Sequence, residues 1–65
     1  MNEIERILLE CRYLLSLNKN YRDLASYLNV SENMIIKDLN DRLPNLDNQL
    51  YNRVQKKLKT INNIR

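Results

Sequence analysis

The sequence predicts a small all-α domain of about four helices, and three observations carry that prediction. Apolar residues recur at three- and four-residue steps through most of the chain, the spacing of one face of a helix. Each such stretch follows an Asn, Ser or Asp, whose side chains accept hydrogen bonds from the free amides of a helix start. Glycine is absent and Pro44 is the single proline, so strong helix breakers are nearly missing.

Glu3 to about Leu17 forms the first helix, with Ile4, Ile7, Leu8, Cys11, Leu14 and Leu15 as its apolar stripe behind an Asn2 cap. Asn18, Lys19 and Asn20 interrupt the pattern. Asn20, followed by Asp23 in the first turn, starts a short second helix from Tyr21 to Leu28. Asn29 then stands where a tight turn needs a left-handed residue, for which asparagine is the best substitute for glycine. Ser31 caps a third helix over about 32–43, which Leu39 and Leu43 help to bury and which is expected to end near Leu43, because Pro44 disfavours a helical conformation before it. Asp47 caps a fourth helix over about 48–62, with Leu46 and Tyr51 spaced as a hydrophobic staple. Leu50, Val54, Leu58 and Ile61 form its apolar stripe, while Arg53, Lys56 and Lys57 share a different face with Lys59 nearby.

Sixty-five residues make one domain at most, so 1–65 is read as a single unit. A chain this short buries only about 60% of the surface its unfolded form exposes, and its stability margin is thin. No apolar run reaches membrane-span length, and Glu3 and Glu5 among the first apolar residues fit neither a signal nor a transit peptide. The expected location is therefore the cytoplasm. Cys11 has no second cysteine to pair with and is read as a small buried hydrophobe. Without histidine there is no His-based metal site or general base; the acids are dispersed, and no enzyme, metal or cofactor is expected. Net charge is +3, distributed as −1 over 1–18, 0 over 19–43 and +4 over 44–65, so the C-terminal third resembles a phosphate-contacting edge.

The informative stretch is 21–40, YRDLASYLNVSENMIIKDLN. Ala25 is small where two helices would approach closely, Leu24 and Leu28 face a core, Asn29 makes the turn, and Val30 and Ile35 fill the angle between the helices. These five positions fit a helix-turn-helix, whose second helix places side chains against base edges in the major groove. The fold class is thus a small helix-turn-helix domain, and the expected partner is double-stranded DNA. The outward, base-reading candidates are Ser31, Glu32, Asn33, Ile36, Lys37 and Asn40. Asn33 can pair bidentately with adenine, Lys37 can donate to guanine or phosphate, Glu32 can accept from cytosine, and Ile36 can cover a thymine methyl. Phosphate contacts are expected from Lys19, Arg22, Arg53, Lys56 and Lys57. Arg42 lies one turn after Asp38 and is read as its structural partner.

RDLASYLNVS followed by KDLNDRLPNLD resembles the stage III sporulation protein D family of small bacterial transcription regulators, without gaps from about Tyr21 to Val54. Its most specific element is the run of Lys37, Asp38, Leu39, Arg42, Leu43 and Pro44. The resemblance implies DNA-facing roles for Ser31 and Lys37 and a basic C-terminal region, here Lys56, Lys57, Lys59 and Arg65. Glu32, Asn33, Met34 and Ile36 depart from that pattern, which implies a different sequence preference. An alternative function is a protein-interaction module that kept the fold and lost DNA affinity, favoured by Glu32. A homodimer is also possible on this pattern, with Leu9, Tyr13 and Leu17 off the main stripe as contact candidates. No small-molecule ligand is evident.

Overall fold

The structure, a computed structural model, describes residues 2–63, with side chains as far as Ile61; Arg65 lies outside the described residues. Helix α1 (Glu3–Leu17) begins where the Asn2 side chain accepts from the Glu5 amide at 2.8 Å, and ends at Asn18 in the left-handed conformation (φ 55°, ψ 37°). Helix α2 (Tyr21–Leu28) is capped by Asn20, whose side chain accepts from the Asp23 amide at 3.0 Å. It closes at Asn29 (φ 58°, ψ 45°): the Asn29 amide donates to Ser26 and the Val30 amide to Ala25, the paired bonds of a Schellman turn. The left-handed residue reverses the chain at once, so Ser31 caps helix α3 (Glu32–Lys37) by accepting from Met34 at 3.1 Å.

The third helix does not stop before the proline. After α3 the chain widens into a π-helical turn at Asp38–Arg42, closed by the Leu43 amide donating to the Asp38 carbonyl, and then continues as α4 (Leu43–Leu46). Leu43 itself is fully helical (φ −61°, ψ −44°). A mid-helix proline normally clashes with the carbonyl four residues back and lacks an amide to offer it. The wide turn accommodates that ring by making Pro44 an early residue of a fresh helical turn, where no amide is required. The break falls instead at Asp47, in extended backbone, whose side chain accepts from Leu50 at 3.0 Å and starts helix α5 (Asn48–Asn63). Tyr51 packs toward the core, but Leu46 stays 42% exposed.

The core joins Ile7, Cys11 and Leu14 of α1, Leu24 and Ala25 of α2, Ile35 of α3, Leu39 of the π turn, Leu43 of α4, and Val54 and Leu58 of α5. Leu28, Val30, Leu50 and Ile61 pack against it half-buried. On α1 the buried face is rotated from the expected stripe: Ile4 and Leu8 are 52% and 45% exposed, whereas Glu10 is fully buried. The rotation brings Arg6 and Glu10 against Asp38 of the π turn, so α1 meets the rod from Glu32 to Leu46 partly through charge. Leu9 is half-buried and Tyr13 turns to Tyr27, their ring centroids 4.8 Å apart, leaving Leu17 the most exposed of the three off-stripe residues. No helix among the described residues is long and apolar enough to cross a membrane.

Candidate nucleic-acid interface

Ile35 and Leu39 anchor the inward side of the rod, which turns Ser31, Glu32, Asn33, Ile36 and Lys37 outward. Ile36, at 36% exposed, is a branched apolar side chain with no core to cover it. Ser31, Asn33 and Lys37 gather with Met34 and Arg42 around a surface cavity of about 240 Å³. This concavity combines a hydroxyl, an amide and two cations, a donor set suited to base edges and phosphate oxygens.

Asn40 differs from the expectation of an outward reader. It is half-buried; its amide nitrogen donates to the Tyr21 hydroxyl at 3.1 Å and to the Ile36 carbonyl at 3.0 Å, while its oxygen accepts from Gln55 at 3.0 Å. Both ends of the amide are thus committed, and Asn40 ties the rod to the start of α2 and to the middle of α5. Asn40 lies within the π turn, and its partners come from α2 and α5, far away in the sequence.

On the other side of the rod, Asp38 is buried and receives two bonds from Arg6, Nε to Oδ2 at 2.7 Å and Nη2 to Oδ1 at 3.0 Å. Arg42 Nη1 donates to Asp38 Oδ1 at 2.7 Å, and Arg42 Nε lies 3.2 Å from the Glu3 carboxylate. Burial alone would raise the Asp38 carboxyl, but hydrogen bonding from Arg6, together with Glu10 and Arg42, holds it at about 2. Glu10 behaves oppositely: burial, reinforced by the neighbouring Asp38 charge, pushes it up to about 9, and it is protonated at neutral pH. The protonated carboxyl donates to Asp38, and its Oε2 lies 3.7 Å from Arg6 Nε. Burial likewise drives the Cys11 thiol to about 12, so it behaves as an unreactive apolar group. Sequence reasoning anticipated the pairing of Asp38 with Arg42 but missed Arg6, Glu10, Tyr21 and Gln55. The signal for Glu10 and Asp38 was spacing: Glu10 sits three residues after Ile7 and four before Leu14, and Asp38 three after Ile35.

The basic residues divide between two surfaces. Lys19 and Arg22 flank Tyr21 at the start of α2, beside the Tyr21–Asn40 bond. Arg53, Lys56 and Lys57 line a separate cavity of about 300 Å³ with Leu15 of α1 and Thr60. At about 100° per residue, Arg53 and Lys57 are each roughly 160° around α5 from Gln55, the residue that reaches the rod. The sequence expectation made all three phosphate contacts on the flank of the helix-turn-helix. The structure turns Arg53 and Lys57 toward α1, because the apolar stripe of α5 packs between α1 and the rod. Lys59, four residues after Gln55, is the α5 cation on the rod side.

Among the described residues, no group of three or more His, Cys, Asp or Glu side chains is arranged to hold a metal ion. Comparison with curated proteins and with solved structures gives no match. The family model of stage III sporulation protein D matches residues 2–65, and with nearly every residue covered the chain belongs to that family.

Proposed function

We propose that this protein is a transcription regulator that binds double-stranded DNA in the cytoplasm, with α3 in the major groove. The observation that carries the reading is the pairing of a Schellman turn at Asn29 with an outward face of Ser31, Glu32, Asn33, Ile36 and Lys37 on a helix whose opposite side is locked in the core. Lys37 and Asn33 read base edges by hydrogen bonding, Ile36 covers a thymine methyl, and Glu32 discriminates for a cytosine amino group. Lys19 and Arg22, with Lys59, contact phosphates along one wall of the groove and fix the register. Membership of the stage III sporulation protein D family supports a role in sporulation gene control.

Fluorescence anisotropy of labelled duplexes at several salt concentrations tests the reading. Binding should weaken steeply with salt, and Lys37→Ala should cost about 1–3 kcal/mol on a selected site. Arg22→Ala should weaken all duplexes alike, and more than Arg53→Ala does. Absence of duplex binding at low salt would sink the proposal. A protein-interaction module is the second reading, favoured by one observation: Arg53, Lys56 and Lys57 border Leu15, an apolar residue in a cationic surround, away from the reading face. A triple Arg53/Lys56/Lys57→Ala variant that binds duplex DNA normally would assign that surface to something other than DNA.

A further inference from the structure

We propose that Arg42 forms a second phosphate site, on the wall of the reading face opposite Lys19 and Arg22, and that Glu3 occupies this site until a DNA phosphate displaces it. The inference rests on the DNA-binding reading and extends it to a residue whose local pairing looks purely structural. Met34, Asp38 and Arg42 follow one another at four-residue steps along one side of the rod, where Asp38 meets α1, whereas Asn40 marks the side facing α2 and α5. A helix lying in the major groove has a phosphate backbone on each side, so a protein that grips both walls needs a cation on each flank.

Arg42 is built for this. One edge of its guanidinium is held by the buried Asp38 at 2.7 Å, and Asp38 is itself clamped twice by Arg6. An arginine so oriented spends little further conformational freedom on gripping a second anion, and its planar fork carries five donors. Nη1 also makes a weak contact of 3.7 Å to the Met34 sulfur, and Nε lies 3.2 Å from Glu3, an exposed carboxylate in the first turn of α1. An ion pair of that kind is weak in water. Arg42 also lines the cavity that holds Ser31, Asn33 and Lys37, so an anion there meets two cations, a hydroxyl and an amide. Among the nearby acids, Asp38 is turned inward and buried and Glu10 is buried behind it; Glu3 is the acid on the outer edge of Arg42. A backbone phosphate carries one negative charge, so exchanging it for the Glu3 carboxylate leaves the charge on the guanidinium balanced.

The test is anisotropy of a labelled random duplex over a salt series with wild type, Arg42→Gln, Arg42→Lys, Glu3→Gln and, as a charge control, Glu5→Gln, each checked for folding by circular dichroism. Arg42→Gln should weaken binding about fivefold or more and flatten the slope of log affinity against log salt by about one, the signature of one lost phosphate contact. Arg42→Lys should retain most of the slope. Glu3→Gln should tighten binding by about twofold or more, and by more than Glu5→Gln, which removes the same charge without touching Arg42. Equal tightening by Glu3→Gln and Glu5→Gln overturns the displacement of Glu3. An unchanged slope in a folded Arg42→Gln, while Arg22→Ala and Lys37→Ala weaken binding, overturns the phosphate site and leaves the DNA reading standing. Failure of wild type to bind any duplex overturns both.

Discussion

The two flanks of the rod that carries the proposed reading face are held by opposite chemistry. On the α1 flank, Asp38 is fully buried between Arg6 and Arg42, with a protonated Glu10 behind it. On the other flank, Asn40 joins Tyr21 and Gln55 through neutral hydrogen bonds of 3.0–3.1 Å. A buried charge group is effective only when complete, because removing one member strands the others in a low dielectric. A neutral hydrogen bond contributes about 1 kcal/mol and is indifferent to pH. The π turn carries both: it starts at Asp38, where charge fixes the rod to α1, and it contains Asn40, whose amide reaches α2 and α5. One flank therefore sets the position of α3 at high stakes, and the other steadies it in small increments.

The largest effect that would sharpen this contrast is expected from Asp38→Asn. Arg6 and Arg42 would face one another without their shared counter-charge, at a cost of about 3 kcal/mol, softened if Glu10 then ionises. Urea unfolding at neutral pH measures it, and a loss below that of a single neutral hydrogen bond would erase the distinction between the flanks. The dependence on pH sharpens the same contrast. Glu10 sits at about 9 in the folded chain against an ordinary 4.5, so the folded state holds an extra proton between those values. Its contribution is complete below about 4.5, declines as pH rises through that window, and is gone above about 9. Asp38 is displaced downward, to about 2 from 3.8, so its contribution is present above 3.8 and is lost as pH falls toward 2. Stability should therefore peak in mild acid and fall toward alkaline pH, and Glu10→Gln should flatten the alkaline limb; an unflattened limb would place the titrating group elsewhere.

Smaller effects are expected on the neutral flank. Gln55→Ala should cost about 1 kcal/mol, by the same amount in mild acid and in mild alkali. A loss that changed with pH would mean that the two flanks share one network. Tyr21→Phe removes one acceptor while Asn40 keeps its bond to the Ile36 carbonyl, so its cost should be smallest, about 0.5 kcal/mol. A helix position shift on Gln55→Ala, read from amide chemical shifts of Asn33 and Lys37, would show that the neutral flank positions the reading face as well as stabilising it.

Local chemistry made most of the fold legible. Asn2, Asn20, Ser31 and Asp47 each cap the helix expected of them, and Asn29 takes the left-handed turn. These are interactions within four residues, and the identities of the residues involved are sufficient to specify them. The outward face of α3 was legible for the same reason, since Ile35 must face inward and periodicity places Asn33 and Lys37 opposite. Where the reading diverged, the cause was distant in sequence. The rotation of α1 that buries Glu10 and exposes Ile4 and Leu8 depends on an acid 28 residues further along, and the commitment of Asn40 depends on Tyr21 and Gln55. The basic trio of α5 was correctly grouped as neighbours, yet its direction in space followed from which side of the α5 stripe meets α1.

By itself the sequence determined the class of fold, the helix starts, the left-handed turn and the outward face of α3, because caps, turns and apolar periodicity act over one or two helical turns. The tertiary structure alone decided that the chain passes through Pro44 by a π turn, that Glu10 and Asp38 share one buried site, and that the cations of α5 divide between two surfaces. Those outcomes depend on how helices far apart in the chain compete for the same small core, and a core of ten buried hydrophobic side chains among the described residues leaves few alternatives once its first helices have met.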